Sequence, residues 1–87
     1  MSEQQNASAA PVVSNIKRYA GTAGQFGVFA MVTYPGEAPR EIEFVGSVYG
    51  GPVIMVSMTT PQTFVREPER FGNFADDPIA WVRRFFS

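Results

Sequence analysis

The sequence contains no cysteine and no histidine among its 87 residues. Without cysteine, no disulfide can stabilise the chain and no thiol can act as a nucleophile. Without histidine, the chain lacks the commonest metal ligand and the side chain most often used as a general base. Ser47 and Ser57 therefore have no histidine to activate them, and a serine–histidine hydrolase is excluded.

The sequence also lacks a strong net charge and a long apolar run. Its formal net charge is −1, and Lys17 is its only lysine. Because there is no broad basic field, non-specific binding of nucleic acid is not expected. No apolar run approaches the roughly 20 residues of a transmembrane helix, and the N-terminus has no signal-peptide pattern. We therefore expect a cytoplasmic protein, and the lack of cysteine agrees with a reducing compartment.

The remaining composition is that of one small globular domain. Apolar residues make up 45% of the chain and aromatic residues 14%. Residues 1–11 are small and polar, so they bury too little apolar surface to offset the entropy lost on ordering. We predict a disordered tail over residues 1–11 and a single domain over residues 12–87.

Alternating apolar residues predict an antiparallel sheet. From Gln25 to Tyr34, apolar side chains alternate between two faces with a period of two. Arg40–Tyr49 and Pro52–Met58 are predicted as further strands, and Val12–Ala20 as a less regular first strand. At Gly50-Gly51, a two-residue turn with positive φ would join the third and fourth of these strands. This loop would place Phe44 opposite Ser57 and Gly46 opposite Met55.

The C-terminal third carries helix signals. Glu67–Phe71 is predicted to form a single helical turn or a short 3₁₀ segment. Asp77 can cap a second helix, and Pro78 suits its first position. Ile79, Val82 and Phe86 have helical spacing, with Trp81 and Phe85 beside them. The predicted fold class is α+β: a small antiparallel β-meander of three to four strands with a short C-terminal helix.

The central hairpin is apolar on both faces, whereas one short helix can cover only one. A sheet covered on one side normally alternates apolar and polar residues. Either the N-terminal strand and the segment Thr60–Phe74 fold over the surplus apolar residues, or another chain covers them. The first function hypothesis is therefore a non-enzymatic protein-interaction module that forms a homodimer or binds a host protein. The predicted interface residues are Val45, Tyr49, Ile54, Val56 and Met58.

The second hypothesis is a small-ligand binder, with a nucleotide-like ligand between sheet and helix. Its pocket would combine aromatic rings with arginines, which stack on and pair with such a ligand. The candidate residues are Tyr19, Tyr49, Arg66, Arg70, Trp81 and Arg84.

A third hypothesis uses Glu41 and Glu43 as an acid–base pair, but strand alternation often places two glutamates on one face. Asp77 is explained as a helix cap, so Asp76-Asp77 does not require a metal. We expect no catalytic residue, no metal and no cofactor.

Three stretches between Val45 and Ser87 carry a resemblance to known proteins: Tyr-Gly-Gly-Pro-Val, Glu-Pro-Glu-Arg-Phe-Gly and Trp-Val-Arg-Arg-Phe-Phe. This half of the chain resembles small uncharacterised proteins of actinobacterial phages. The resemblance implies a small accessory or host-modulating protein. It implies no site residues.

Overall fold

The computed structural model describes residues 10–58 and 61–87. Nearly all of the predicted tail, residues 1–9, lies outside the described residues, as do residues 59 and 60. The described elements are β1 (Val12–Ala20), β2 (Gln25–Thr33), β3 (Arg40–Ser47), β4 (Ile54–Ser57), β5 (Thr63–Phe64), a 3₁₀ helix (Pro68–Phe71) and α1 (Pro78–Phe85).

The five strands form one antiparallel sheet in which sequence neighbours are also sheet neighbours, in the order β1-β2-β3-β4-β5. The predicted α+β class, a meander followed by a short helix, is confirmed. The fifth strand was not predicted, because two residues are too few to show a period-two pattern.

The core lies on one face of the sheet, under α1. On β2 every second residue from Phe26 to Val32 is buried, and Ile42 and Phe44 continue this face on β3. Aromatic rings from the C-terminal part pack edge-on against Phe44, including those of Trp81, Phe85 and Phe86. Phe74 fills the space above Gly46, where a Cβ atom would lie 2.7 Å from its ring.

The ends of α1 follow the sequence signals, but its packing face differs. The Asp77 carboxylate accepts a hydrogen bond from the Ala80 amide at 3.1 Å, and Pro78 begins the helix. Trp81 is fully buried and donates its indole N–H to the Pro68 carbonyl at 2.8 Å. Ile79, which we expected to pack with Val82, is 41% exposed. The buried stripe runs through Trp81, Val82 and Phe86, so Ile79 falls to one side of it.

The β3–β4 hairpin differs from the predicted two-residue loop. Phe44 lies opposite Met55 rather than Ser57, so the loop runs over residues 48–53. The amide of Val48 donates to Gly24 at 2.9 Å, and the amide of Gly50 donates to Ser47 at 3.1 Å. The first bond joins the chain after β3 to the turn that precedes β2, and the second closes a turn at the start of the loop. Because the register moves by two residues, every side chain keeps its predicted face.

Two backbone features explain the other irregularities. Gly50 and Gly51 have the predicted positive φ values, 92° and 97°. In β1 the pairing with β2 shifts between Ser14 and Lys17, and Asn15 has a φ of 52°. This bulge accounts for the imperfect alternation of the first strand.

Candidate functional site

The face of the sheet opposite α1 is the candidate site and is called the second face below. No helix lies on it within the described residues. Strand pairing arranges most of its side chains in three rows that each cross at least three strands. The rows are Tyr19, Gly27, Val45, Ile54 and Phe64; then Lys17, Phe29, Glu43 and Val56; then Ser14, Met31 and Glu41.

Tyr19 is held across the second face because Gly27 has no side chain. A Cβ atom at Gly27 would clash with the phenol ring of Tyr19. The ring centroids of Tyr19 and Phe29 are 5.0 Å apart, and the Tyr19 hydroxyl donates a hydrogen bond to the Glu43 carboxylate. Burial raises the pKa of Tyr19 to about 12, aided by that hydrogen bond and by the charge of Glu43. At neutral pH Tyr19 is therefore a hydrogen-bond donor and not a base.

A shallow cleft of about 130 Å³ lies on the second face beside the two glutamates. Phe29, Val56 and Met58 form apolar walls, and Glu41 and Glu43 form an acidic rim. The described residues include no group of three or more acidic, histidine or cysteine side chains that could hold a metal ion. The cleft is smaller than the sites of about 300–1,000 Å³ that hold small molecules.

A larger cavity of about 450 Å³ lies at the helix side of the sheet. It opens between the β3–β4 loop and the 3₁₀ helix, and Phe74 and Trp81 contribute to its wall. Glu69 is the charged residue of its lining, which contains no arginine among the described residues. Its remaining lining comes from Ser47, Gly50, Gly51, Pro52, Val53, Pro68, Gly72, Asn73 and Ala75.

The predicted interface residues do not all lie together. Val45, Ile54 and Val56 lie on the second face and are half-buried, and Met58 lies at its margin, 95% exposed. Tyr49 is 85% exposed in the loop after β3, where its ring contacts Gly24.

Phe64 belongs to the second face but was absent from the predicted set. It pairs with Ile54 and is 67% exposed. The strand that carries it is too short to be found from its sequence.

The predicted ligand-binding residues are not brought into one pocket. Tyr19 lies on the second face, whereas Trp81 packs against Phe44 on the opposite face. The Arg84 guanidinium donates to the Phe71 carbonyl at 3.0 Å. The other three are Arg70, whose guanidinium lies 5.6 Å from the Phe71 ring centroid, and Arg66 and Tyr49, which are exposed.

Within residues 10–58 and 61–87, no helix has the length and apolar character needed to cross a membrane. No family model matches the chain, and no curated protein or solved structure matches it.

Proposed function

We propose that this protein is a non-enzymatic protein-interaction module that self-associates through the second face of its sheet. The observation that supports this proposal is the unequal cover of the two faces. Helix α1 and its aromatic neighbours bury one face, while Phe29, Met31, Val45, Ile54 and Val56 stay half-buried on the other. A contiguous apolar surface of this kind is typical of a protein interface.

A second copy of the chain is the partner that we propose. Burying apolar surface contributes about 25 cal/mol per Å², and a twofold dimer buries the same patch twice. The resemblance to phage proteins agrees with a small accessory role, for which a host protein is the other partner considered. Both the phage origin and the cytoplasmic location stay predictions.

A small-ligand binder is the second candidate function, favoured by the cavity of about 450 Å³ beside Trp81. Its volume lies within the range of small-molecule sites. Glu69 gives the lining a negative charge, and no arginine of the described chain reaches it. This chemistry does not suit the phosphates of a nucleotide. The partly uncovered apolar second face therefore supports the interaction module better.

The test is the solution mass of the parent chain and of Val45→Glu, measured by analytical ultracentrifugation over a range of concentrations. Val45 lies on the middle strand, so any face-to-face contact covers it. We expect a parent dimer, and at least about tenfold weaker association for Val45→Glu, because the contact would bury an unpaired charge.

Val48→Glu is the matched control, since Val48 lies in the loop after β3 and is exposed. It should associate like the parent. Circular dichroism establishes that each variant is folded. A parent that remains monomeric at high concentration would contradict the proposed function.

A further inference from the structure

One row of the second face has opposite charges on either side of an aromatic residue. Lys17 on β1 pairs with Phe29 on β2, and Phe29 pairs with Glu43 on β3. Cross-strand partners point to the same face, so all three side chains belong to the second face. The row is therefore basic, aromatic and acidic, and it is symmetrical in position about Phe29.

We propose that two copies pack face to face with their twofold axis along β2, so that Lys17 of each copy pairs with Glu43 of the other. This inference rests on the self-association proposed above. A twofold axis parallel to the strands keeps each row and exchanges β1 with β3. Phe29 then meets Phe29 of the other copy, and both Lys17–Glu43 pairs form at once. Such a surface is self-complementary, as a twofold interface requires.

The neighbouring rows fit the same axis. Tyr19 and Val45 flank Gly27, and the Tyr19 ring covers Gly27, so the axis brings this ring against the Tyr19 ring of the other copy, between the two Val45 side chains. In the third row Ser14 and Glu41 lie on either side of Met31. The axis therefore brings the Ser14 hydroxyl of one copy, a hydrogen-bond donor, against the Glu41 carboxylate of the other. Adjacent strands are about 4.8 Å apart, and two stacked sheets cross at about 30°. This crossing displaces a β1 residue from the facing β3 residue of the other copy by only about 2.5 Å along the strand.

The charges distinguish this axis from the alternatives. Lys17 and Glu43 form no ion pair within the described part of one chain, where Glu43 accepts only the Tyr19 hydroxyl. An axis along β3 would place Glu43 against Glu43, which repel each other. An axis along β4 would leave Lys17 and Phe29 outside the contact. With the axis along β2, Val56 lies at the margin, beside Lys17 of the other copy.

A charge-exchange experiment tests the pairing. Lys17→Glu and Glu43→Lys should each weaken the dimer at least about tenfold, because like charges then meet. The double variant Lys17→Glu/Glu43→Lys should return the dissociation constant to within about threefold of the parent. The control double variant Lys17→Glu/Glu69→Lys has the same net charge. The dimer of this control variant should stay weak, because Glu69 belongs to the 3₁₀ helix beside the opposite face and cannot pair with residue 17.

A second measurement leaves Glu43 and its bond to Tyr19 unchanged. Because the chain has no cysteine, single cysteines can be placed and joined with a short bifunctional maleimide. Met31→Cys lies on the proposed axis, so its cysteine should cross-link to the same cysteine of the second copy. Ile54→Cys lies on β4, away from the axis, and should not cross-link.

The outcomes separate the two proposals. A monomeric parent overturns the self-association itself. In a second outcome, the parent forms a dimer that Val45→Glu dissociates, while the double variant Lys17→Glu/Glu43→Lys still associates weakly. This result overturns only the pairing of Lys17 with Glu43. Cross-linking at Ile54→Cys without cross-linking at Met31→Cys overturns it as well.

Discussion

At the scale of single residues, Tyr19 shows how a glycine can position a polar group. Its ring occupies the space that a side chain at Gly27 would take, and this places its hydroxyl against Glu43. The sequence identifies Tyr19 as a candidate but not its neighbours. The bulge around Asn15 changes which β1 residues face Gly27 and Phe29, and the imperfect alternation of β1 does not by itself show where the register shifts.

The Tyr19–Glu43 hydrogen bond predicts a specific loss of stability at alkaline pH. The pKa of Tyr19 is about 12 in the folded chain, against about 10 in an unfolded one. Folding therefore favours the neutral phenol. The contribution of the neutral Tyr19 phenol to the free energy of unfolding is complete below pH about 10 and is lost as the pH rises towards 12. We expect the denaturation midpoint to fall over this range in the parent and to fall less in Tyr19→Phe.

Tyr49→Phe is the control, since the ring of Tyr49 lies in an exposed loop. It should follow the parent at every pH. Identical pH profiles for Tyr19→Phe and the parent would contradict the role assigned to the Tyr19 hydroxyl.

At the scale of elements, the parts found from sequence are those whose signals are local. Asp77 and Pro78 begin α1 as expected, and β2 alternates through its whole length. The β3–β4 loop could not be predicted in detail, because its register depends on the bond from Val48 to Gly24. That bond joins segments far apart in the chain, and no local pattern reports it.

The bond between Trp81 and Pro68 connects α1 to the 3₁₀ helix and can be tested alone. Trp81→Phe keeps an aromatic ring in the core but leaves the Pro68 carbonyl without its donor. We expect a loss of about 1–3 kcal/mol in the free energy of unfolding, measured by chemical denaturation. The parent's tryptophan emission should be that of a buried indole.

Ile79→Ala, on the exposed side of the same helix, is the matched control and should cost much less. An equal loss in both variants would show that the indole hydrogen bond contributes little.

At the scale of the whole molecule, the sequence alone indicates that the sheet has more apolar surface than one short helix can cover. One short helix follows a sheet that is apolar on both sides, and α1 does pack on one face. The charge pattern of the other face was not predictable. It needs the strand register, which sets Lys17 beside Phe29 and Phe29 beside Glu43.

The position of α1 after the whole sheet has a consequence for biosynthesis. Ribosomes deliver the strands first, so the part of the core face that α1 covers stays open in the nascent sheet until residues 78–86 emerge. The aromatic side chains of α1 that close the core are thus made after all five strands. We expect a chain that stops at Asp77 to bind a hydrophobic dye strongly and to unfold without a cooperative transition. A sharp transition in that shortened chain would show that the strands fold before the helix arrives.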